Sequence, residues 1–308
     1  MGCDKAKKTC KSAEKTYERL EKGDKPVLAV CYDFDRTLTP DDMQAQGFIQ
    51  SVGADVREFW EQSNKLATEN DMDMNLAYML TMVKKAKGKF YVTKKALAEY
   101  GAKIRLFSGV ESWFGRINEY GASRGIIVEH YIISSGLKEM IEGTAIAGEF
   151  KKIYASAFCY DEDGVPVWPA QTINYTNKTQ FLFRIEKGCL DINDHAGVNE
   201  YIPPEKLRVP LRNMVYIGDS DTDIPCMKLV NSYGGHPIGV YDPDTQKKDK
   251  VYALMKNNRI RYFAPADFGE GGELDRLLKS VIDKTAAYES LENEHVKDLD
   301  ETRKNTQN

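Results

Sequence analysis

Short, mainly apolar runs that end in polar residues recur along the chain and predict buried strands. Runs this short and rich in β-branched residues are typical of strands whose sheet is covered on both faces. A further stretch, 153–169, alternates around Asp161-Glu162-Asp163-Gly164 and predicts a hairpin. The predicted strands outside the hairpin are 27–32, 126–133, 214–217, 236–241 and 261–264.

Apolar residues at helical spacing fill most of the segment between the first two predicted strands. The pattern there includes Phe59 and Trp60, then Tyr78, and we interpret these stripes as core packing. The alternative for Phe59 and Trp60 is that they line a pocket. Further helices are predicted over 137–141, 177–186 and 246–256, a charged helix over 5–23, and a charged helix or frayed end beyond 284.

Strands alternating with helices predict an α/β fold with a doubly wound parallel sheet. The connection between the first two strands is too long for one crossover helix, so we expect it to form a separate small module. In such sheets ligands bind beyond the carboxyl ends of the strands. The predicted division is a lead-in helix over 1–25, a core over 26–40 and 125–283, an inserted helical module over 41–124 and a tail over 284–308.

Charge and composition exclude several classes of protein. The 43 Lys and Arg oppose 47 Asp and Glu without forming a basic patch, which argues against a nucleic-acid partner. No apolar run approaches the roughly 18 residues of a membrane span, and residues 1–25 lack the apolar segment of a signal peptide. We therefore expect a cytoplasmic protein that binds neither nucleic acid nor membrane; its oligomeric state stays open. The scattered cysteines and histidines show no metal-binding spacing.

Acidic residues follow two of the predicted strands. Asp33 and Asp35 would point the same way on an extended backbone, and Gly218 precedes Asp219, Asp221 and Asp223. A helix cap explains one such Asp cheaply, whereas several carboxylates at neighbouring strand ends repel one another unless a cation lies between them. Mg²⁺ suits a site with few carboxylates and phosphate oxygens.

A hydroxyl-rich turn and a lysine complete the set of strand-end residues. Ser134-Ser135-Gly136 follows the second predicted strand and precedes a helix, where backbone N–H groups favour an anion. Lys178 begins a later helix and would add a positive charge. Taken singly, such a serine is usually a cap and such a lysine usually a surface residue.

In chain order these residues resemble the four-motif signature of haloacid dehalogenase superfamily hydrolases. The resemblance covers roughly 27–264, and it implies a Rossmann-like core with a small helical cap inserted between the first two strands. The inserted helices resemble the family's C1-type cap. The predicted hairpin resembles the one found in the phosphoserine-phosphatase-like branch of the family. The motifs are Asp33-x-Asp35-x-Thr37, Ser134, Lys178 and Gly218-Asp219-x-x-x-Asp223.

The resemblance implies a two-step phosphoryl transfer. Asp33 would attack phosphorus and form an aspartyl-phosphate, and Asp35 would act first as general acid and then as general base. The residues implied to bind the phosphate are Ser134, Ser135, Gly136 and Lys178. The implied Mg²⁺ ligands are the side chains of Asp33 and Asp219 and the backbone carbonyl of Asp35, with Asp223 supporting through water or Lys178.

The resulting expectation is a Mg²⁺-dependent phosphatase acting on a small phosphorylated metabolite. The alternatives are a catalytically weak binding or regulatory protein of the same fold, and another phosphotransferase such as a phosphomutase. The resemblance of the cap suggests phosphoserine as a substrate. Against it, Asp41-Asp42-Met43-Gln44 matches only in part the pattern that usually places a Glu after the first motif. Phosphocholine or phosphoethanolamine would equally suit an aromatic, acidic cap.

Overall fold

The computed structural model describes residues 17–306, and its centre is a seven-stranded sheet in the order β4-β3-β2-β1-β5-β6-β7. Neighbouring strands are parallel except for the β3–β4 hairpin. The predicted α/β fold with a mostly parallel sheet is therefore confirmed. The strands are β1 (Val27–Tyr32), β2 (Ile127–Leu137), β3 (Lys152–Tyr160), β4 (Pro166–Gln171), β5 (Met214–Gly218), β6 (His236–Tyr241) and β7 (Tyr262–Pro265).

Helices cover both faces of the sheet. All six side chains of β1 are buried, and they alternate between two apolar clusters, with Leu28 in one and Ala29 in the other. This burial explains why β1 is a continuous apolar run rather than an alternating one. The helices are α1 (Phe48–Ser51), α2 (Val56–Glu69), α3 (Met74–Ala86), α4 (Lys94–Gly101), α5 (Val110–Ser123), α6 (Lys138–Glu142), α7 (Thr179–Lys187), α8 (His195–Asn199), α9 (Ile224–Ser232), α10 (Asp249–Lys256) and α11 (Glu273–Thr306).

The segment between β1 and β2 contains five helices, and the last two pack against the core. In α4, a Cβ on Gly101 would lie 1.9 Å from the Met140 carbonyl oxygen of α6, so only glycine permits this crossing. In α5, the Trp113 indole donates to the Tyr32 hydroxyl at 2.8 Å, and Arg116 pairs with Asp275 of α11 at 3.0 Å. The helices nearer its start, α2 and α3, pack against each other.

The predicted end of the second strand requires correction. The second strand, predicted to end at 133, continues to Leu137, with an irregular register against β3 between Ile133 and Leu137. The polar residues of this segment are typical of a loop, so the sequence pattern does not indicate that the strand continues through them.

The start of the chain also differs from the expectation, whereas the charged helix predicted beyond 284 is present as the later part of α11. Residues 1–16 of the predicted lead-in helix lie outside the described residues, and 17–25 contain no helix. Instead, the Leu20 N–H donates to the Gly188 carbonyl at 2.9 Å. The charged tail belongs to α11, which starts with buried Leu274 and Leu278 and ends exposed. None of the helices in the described part of the chain has both the length and the hydropathy needed to cross a membrane.

Candidate active site

The central strands bring their carboxyl ends to one edge of the sheet. Tyr32, the last residue of β1, lies opposite Ile132 of β2 and Ile217 of β5. The Asp33 N–H extends this ladder by donating to the Ile217 carbonyl at 2.9 Å. The polar residues that follow these three strands are therefore neighbours in space, as expected for ligand sites in such sheets.

A buried lysine joins two of the predicted aspartates. Lys178 Nζ lies 2.7 Å from Asp223 Oδ1 and 3.4 Å from Asp33 Oδ1. Both Lys178 and Asp223 are fully buried, and Asp33 is 5% exposed. Burial alone would lower the pKa of Lys178, but the charges of Asp223 and Asp33 raise it above its ordinary value. The lysine therefore remains a cation inside the protein.

The carboxylate of Asp223 is fully occupied by hydrogen bonds. Its Oδ1 accepts from Lys178 Nζ at 2.7 Å and from the Tyr216 hydroxyl at 2.8 Å. Its Oδ2 accepts from the Ser220 N–H at 3.0 Å and from the Ser220 hydroxyl at 2.8 Å. Gly218 makes room for this carboxylate, because a Cβ there would lie 2.5 Å from Asp223 Oδ2. The glycine is thus required by the close approach of the Asp223 carboxylate.

Asp33, Asp219 and Asp223 present carboxylate oxygens that all lie within 4.8 Å of one another. Burial and the charge of Asp223 raise the pKa of Asp33 to about 6. Burial and the charges of Asp223 and Asp33 raise the pKa of Asp219 to about 7. A divalent cation would relieve this repulsion, and carboxylate oxygens are ligands that Mg²⁺ accepts. We call Asp33, Lys178, Asp219 and Asp223 the carboxylate–lysine cluster.

Asp35 lies beside this cluster with its side chain outside the group of three carboxylates. Its Oδ1 accepts a hydrogen bond from the Met43 N–H at 2.8 Å. Burial, followed by the charges of Asp42 and Asp33, raises the pKa of Asp35 well above its usual range. A Cβ on Gly136 would lie 3.0 Å from Asp35 Oδ2, so the glycine permits the close approach of the two segments.

Ser134 and its two neighbours reach the site from the irregular end of β2, not from the start of a helix as predicted. The Ser134 hydroxyl is buried and accepts a hydrogen bond from the Gly136 N–H at 3.1 Å. The next helix, α6, begins only at Lys138. Lys178 lies where expected, at the end of a short 3₁₀ turn that leads into α7.

A cavity of about 310 Å³ opens at this edge of the sheet. Its lining includes Asp33, Asp35, Asp219 and the 134–136 segment. Helices α2 and α3 supply a second part of the lining. We call this surface the α2–α3 wall; it consists of Trp60, Ser63, Asn64, Met74, Asn75 and Tyr78.

The residues of the α2–α3 wall were not predicted as site residues. Tyr78 belongs to the apolar core as predicted and also lines the cavity, and Trp60 packs against that core and lines the cavity too. Their neighbour Phe59 is fully buried in the core. One sequence feature could have indicated this surface: Ser63 and Asn75 are polar residues on helix faces that are otherwise apolar. The structure shows that both are buried.

Comparison with known proteins identifies relatives of the whole domain. A family profile described as haloacid dehalogenase-like hydrolase matches residues 30–228. An uncharacterized protein of Borreliella burgdorferi is 28% identical over 289 residues, covering 83% of this chain and 96% of that protein.

Two solved structures show the same fold. A HAD family hydrolase from Salmonella enterica serovar Typhi aligns with a TM-score of 0.53 and 18% identity over 83% of this chain and 72% of that one. A probable phosphoserine phosphatase from Vibrio cholerae aligns with a TM-score of 0.53 and 13% identity over 86% of this chain and 67% of that one. At these identities the likeness concerns the fold.

Proposed function

Because the chain belongs to the haloacid dehalogenase-like hydrolase family, we propose that it is a Mg²⁺-dependent phosphatase acting on a small phosphorylated metabolite. The observation that carries this proposal is the carboxylate–lysine cluster, in which Asp33 meets a buried cation and a second carboxylate at the floor of a cavity. Phosphoryl transfer needs positioning and charge neutralisation more than any other aid, and the cluster supplies both.

In the proposed first step, a carboxylate oxygen of Asp33 attacks phosphorus. An aspartyl-phosphate forms while the bond between phosphorus and the leaving-group oxygen breaks. Asp35 donates its proton to that oxygen, a role that suits a carboxyl group whose pKa burial raises. In the second step Asp35 accepts a proton from the water that attacks phosphorus. The bond between phosphorus and the Asp33 oxygen breaks, which releases inorganic phosphate and restores the Asp33 carboxylate.

The remaining predicted residues hold the phosphoryl group. Lys178 and the Ser134 hydroxyl would bind its oxygens, aided by Ser135 and the backbone of Gly136. Since Lys178 is anchored by Asp223 at 2.7 Å, its ammonium group is positioned before substrate arrives. Such preorganised charge acts on the transition state without a further reorganisation cost.

The residues present fit a magnesium ion. Asp33 and Asp219 would hold it with the backbone carbonyl of Asp35, while Asp223, whose oxygens already accept four hydrogen bonds, would act through Lys178. When bound, the ion would neutralise charge on the transferring phosphoryl group.

We further propose that the part of the inserted segment that selects the substrate is the α2–α3 wall. The predicted module over 41–124 includes α4 and α5, but these two helices pack against the core. The wall lines the same cavity as Asp33 and Asp219. Its helices are therefore placed to cover the site and exclude water.

Metal removal tests the proposal. Purified protein should release phosphate from phenyl phosphate with Mg²⁺ present, lose that activity in excess EDTA, and regain it when Mg²⁺ is restored. The carboxylates of Asp33 and Asp219 repel each other and the phosphate without a cation, which is the reason for the expected loss. Full activity after exhaustive chelation would contradict the metal assignment. Absence of turnover in every condition would instead favour the binding-protein alternative.

A further inference from the structure

The α2–α3 wall contains polar side chains but no charged group. Among the residues that line this half of the cavity, only Tyr78 titrates, and burial raises its pKa far above its ordinary value. The charged residues of the cavity belong instead to the sheet edge, the loop after β1 and α10. The two halves of the cavity therefore suit different parts of a substrate.

Three buried polar atoms of the cavity lining have no hydrogen-bond partner: Trp60 Nε1, Ser63 Oγ and Ser135 Oγ. Their neighbours are satisfied. The Tyr78 hydroxyl donates to the Ser135 carbonyl at 2.9 Å, and Asn75 Nδ2 donates to the Ile173 carbonyl at 2.8 Å. Unpaired buried polar atoms are costly. Of the described residues with such an atom, three lie together in the lining of this one cavity, which indicates partners that a ligand supplies.

The type of these atoms restricts the ligand. An indole N–H only donates, so Trp60 requires an acceptor, whereas the two serine hydroxyls can donate or accept. An ammonium group offers donors alone, and a quaternary ammonium offers neither donor nor acceptor. Phosphocholine and phosphoethanolamine would therefore leave the Trp60 N–H unpaired.

A carboxylate would supply an acceptor but would lack a counter-ion at the wall. Among the described residues, the cationic side chains that line the cavity are Arg36 and Lys250. Arg36 already pairs with Asp42 at 2.9 Å, and its side chain is 56% exposed; Lys250 is likewise exposed. Burying a carboxylate without a paired charge is strongly unfavourable.

We propose that the alcohol released from the substrate is uncharged and carries several hydroxyl groups, as in a polyol or a small sugar. The proposal rests on the phosphatase function proposed above. Hydroxyl oxygens pair with Trp60 Nε1 and Ser63 Oγ, which lie three residues apart on one face of α2, and the indole ring covers the apolar C–H side of the ligand. Because these polar atoms are covered in the present conformation, binding involves side-chain rearrangement around them.

The proposal is tested by comparing kcat/KM of the full-length protein with Mg²⁺ on matched monophosphates. The hydroxylated set is glycerol phosphate and hexose phosphates, the charged set is phosphoserine, phosphoethanolamine and phosphocholine, and phenyl phosphate is the reference. We expect the best hydroxylated substrate to exceed every charged one by about tenfold or more, as one or two hydrogen bonds would give. A charged substrate that equals or exceeds it would overturn the inference and leave the phosphatase function intact. Failure on every compound, phenyl phosphate included, would overturn the proposed function itself.

A second measurement tests whether the preference for hydroxylated substrates depends on the α2–α3 wall. Trp60→Phe keeps an aromatic ring but removes the N–H, and Ser63→Ala removes the hydroxyl. Each should lower the ratio of kcat/KM on the hydroxylated substrate to kcat/KM on phenyl phosphate by about three- to tenfold. Trp168→Phe is the matched control, since Trp168 lies on β4 and is 73% exposed; its ratio should equal that of the wild type. Unchanged ratios in both wall variants would overturn the proposal.

Discussion

The carboxylate–lysine cluster and the α2–α3 wall form the two sides of one cavity and are built on opposite principles. In the cluster, Lys178 is buried and paired with Asp33 and Asp223, and Asp223 accepts four hydrogen bonds. In the wall, the groups are neutral, and Trp60 Nε1 and Ser63 Oγ have no partner. A hydrogen-bonded network keeps its geometry without a ligand, whereas unpaired polar atoms need a ligand to supply their hydrogen-bond partners. We infer that the cluster performs the reaction and that the wall determines which substrate binds.

The largest expected effect comes from the nucleophile. Asp33→Asn keeps the size of the side chain but removes the attacking oxygen charge, so kcat should fall by about 10⁴-fold or more. The matched control is Asp221→Asn, because Asp221 belongs to the same acidic run after β5 but is exposed and lies outside the group of three carboxylates. Steady-state phosphate release measures both. Equal activity in the two variants would remove Asp33 from the reaction.

A second variant measures how much the ion pairs of the cluster contribute to the free energy of unfolding. Lys178→Met leaves Asp33 and Asp223 buried without their cation and should lower the free energy of unfolding by about 3–5 kcal/mol. Lys138→Met is the control, since Lys138 and Glu142 form a partly exposed pair at 3.5 Å whose loss should cost at most about 1 kcal/mol. Urea unfolding without metal gives both values. Similar losses in the two variants would show that the cluster is no more tightly paired than the surface.

The smallest effect is expected in the wall, at a group that is already satisfied. Tyr78→Phe removes the hydrogen bond to the Ser135 carbonyl, which still accepts one from the Ser156 hydroxyl at 3.1 Å. The free energy of unfolding should therefore fall by only about 1 kcal/mol. Tyr91→Phe, at an 80% exposed site, should leave it unchanged. A loss above about 3 kcal/mol would mean that the wall, too, depends on its internal pairing.

The sequence predicts the cluster better than the wall for a physical reason. A buried strand that ends in acidic residues, such as β1 followed by Asp33, is visible locally, and parallel strands bring their ends together. By contrast, a helix face that fills a core and one that lines a cavity share the same apolar periodicity. Trp60 and Phe59 are adjacent in one such stripe, yet one lines the cavity and the other is core.

Interactions distant in sequence account for the remaining errors. The segment Ser134–Gly136 reads as a loop, but pairing of β2 with β3 resumes at Leu137 and keeps it within the strand. Gly136 is needed because Met43 and Asp35, from another part of the chain, approach it closely. Neither contact can be predicted from the local pattern of residues.

The most direct test of the central claim is the fate of the phosphoryl group in Asp35→Asn. This variant keeps the nucleophile Asp33 but removes the base that activates water, a contribution of about 10²–10⁴-fold. With nitrophenyl phosphate, whose leaving group needs no proton, the first step should proceed and the second should stall. Mass spectrometry of the quenched protein should then show one added phosphoryl group on the peptide that contains Asp33, absent in the Asp33→Asn/Asp35→Asn double variant. A phosphoryl group on Ser134, or none despite rapid turnover by the wild type, would contradict the account.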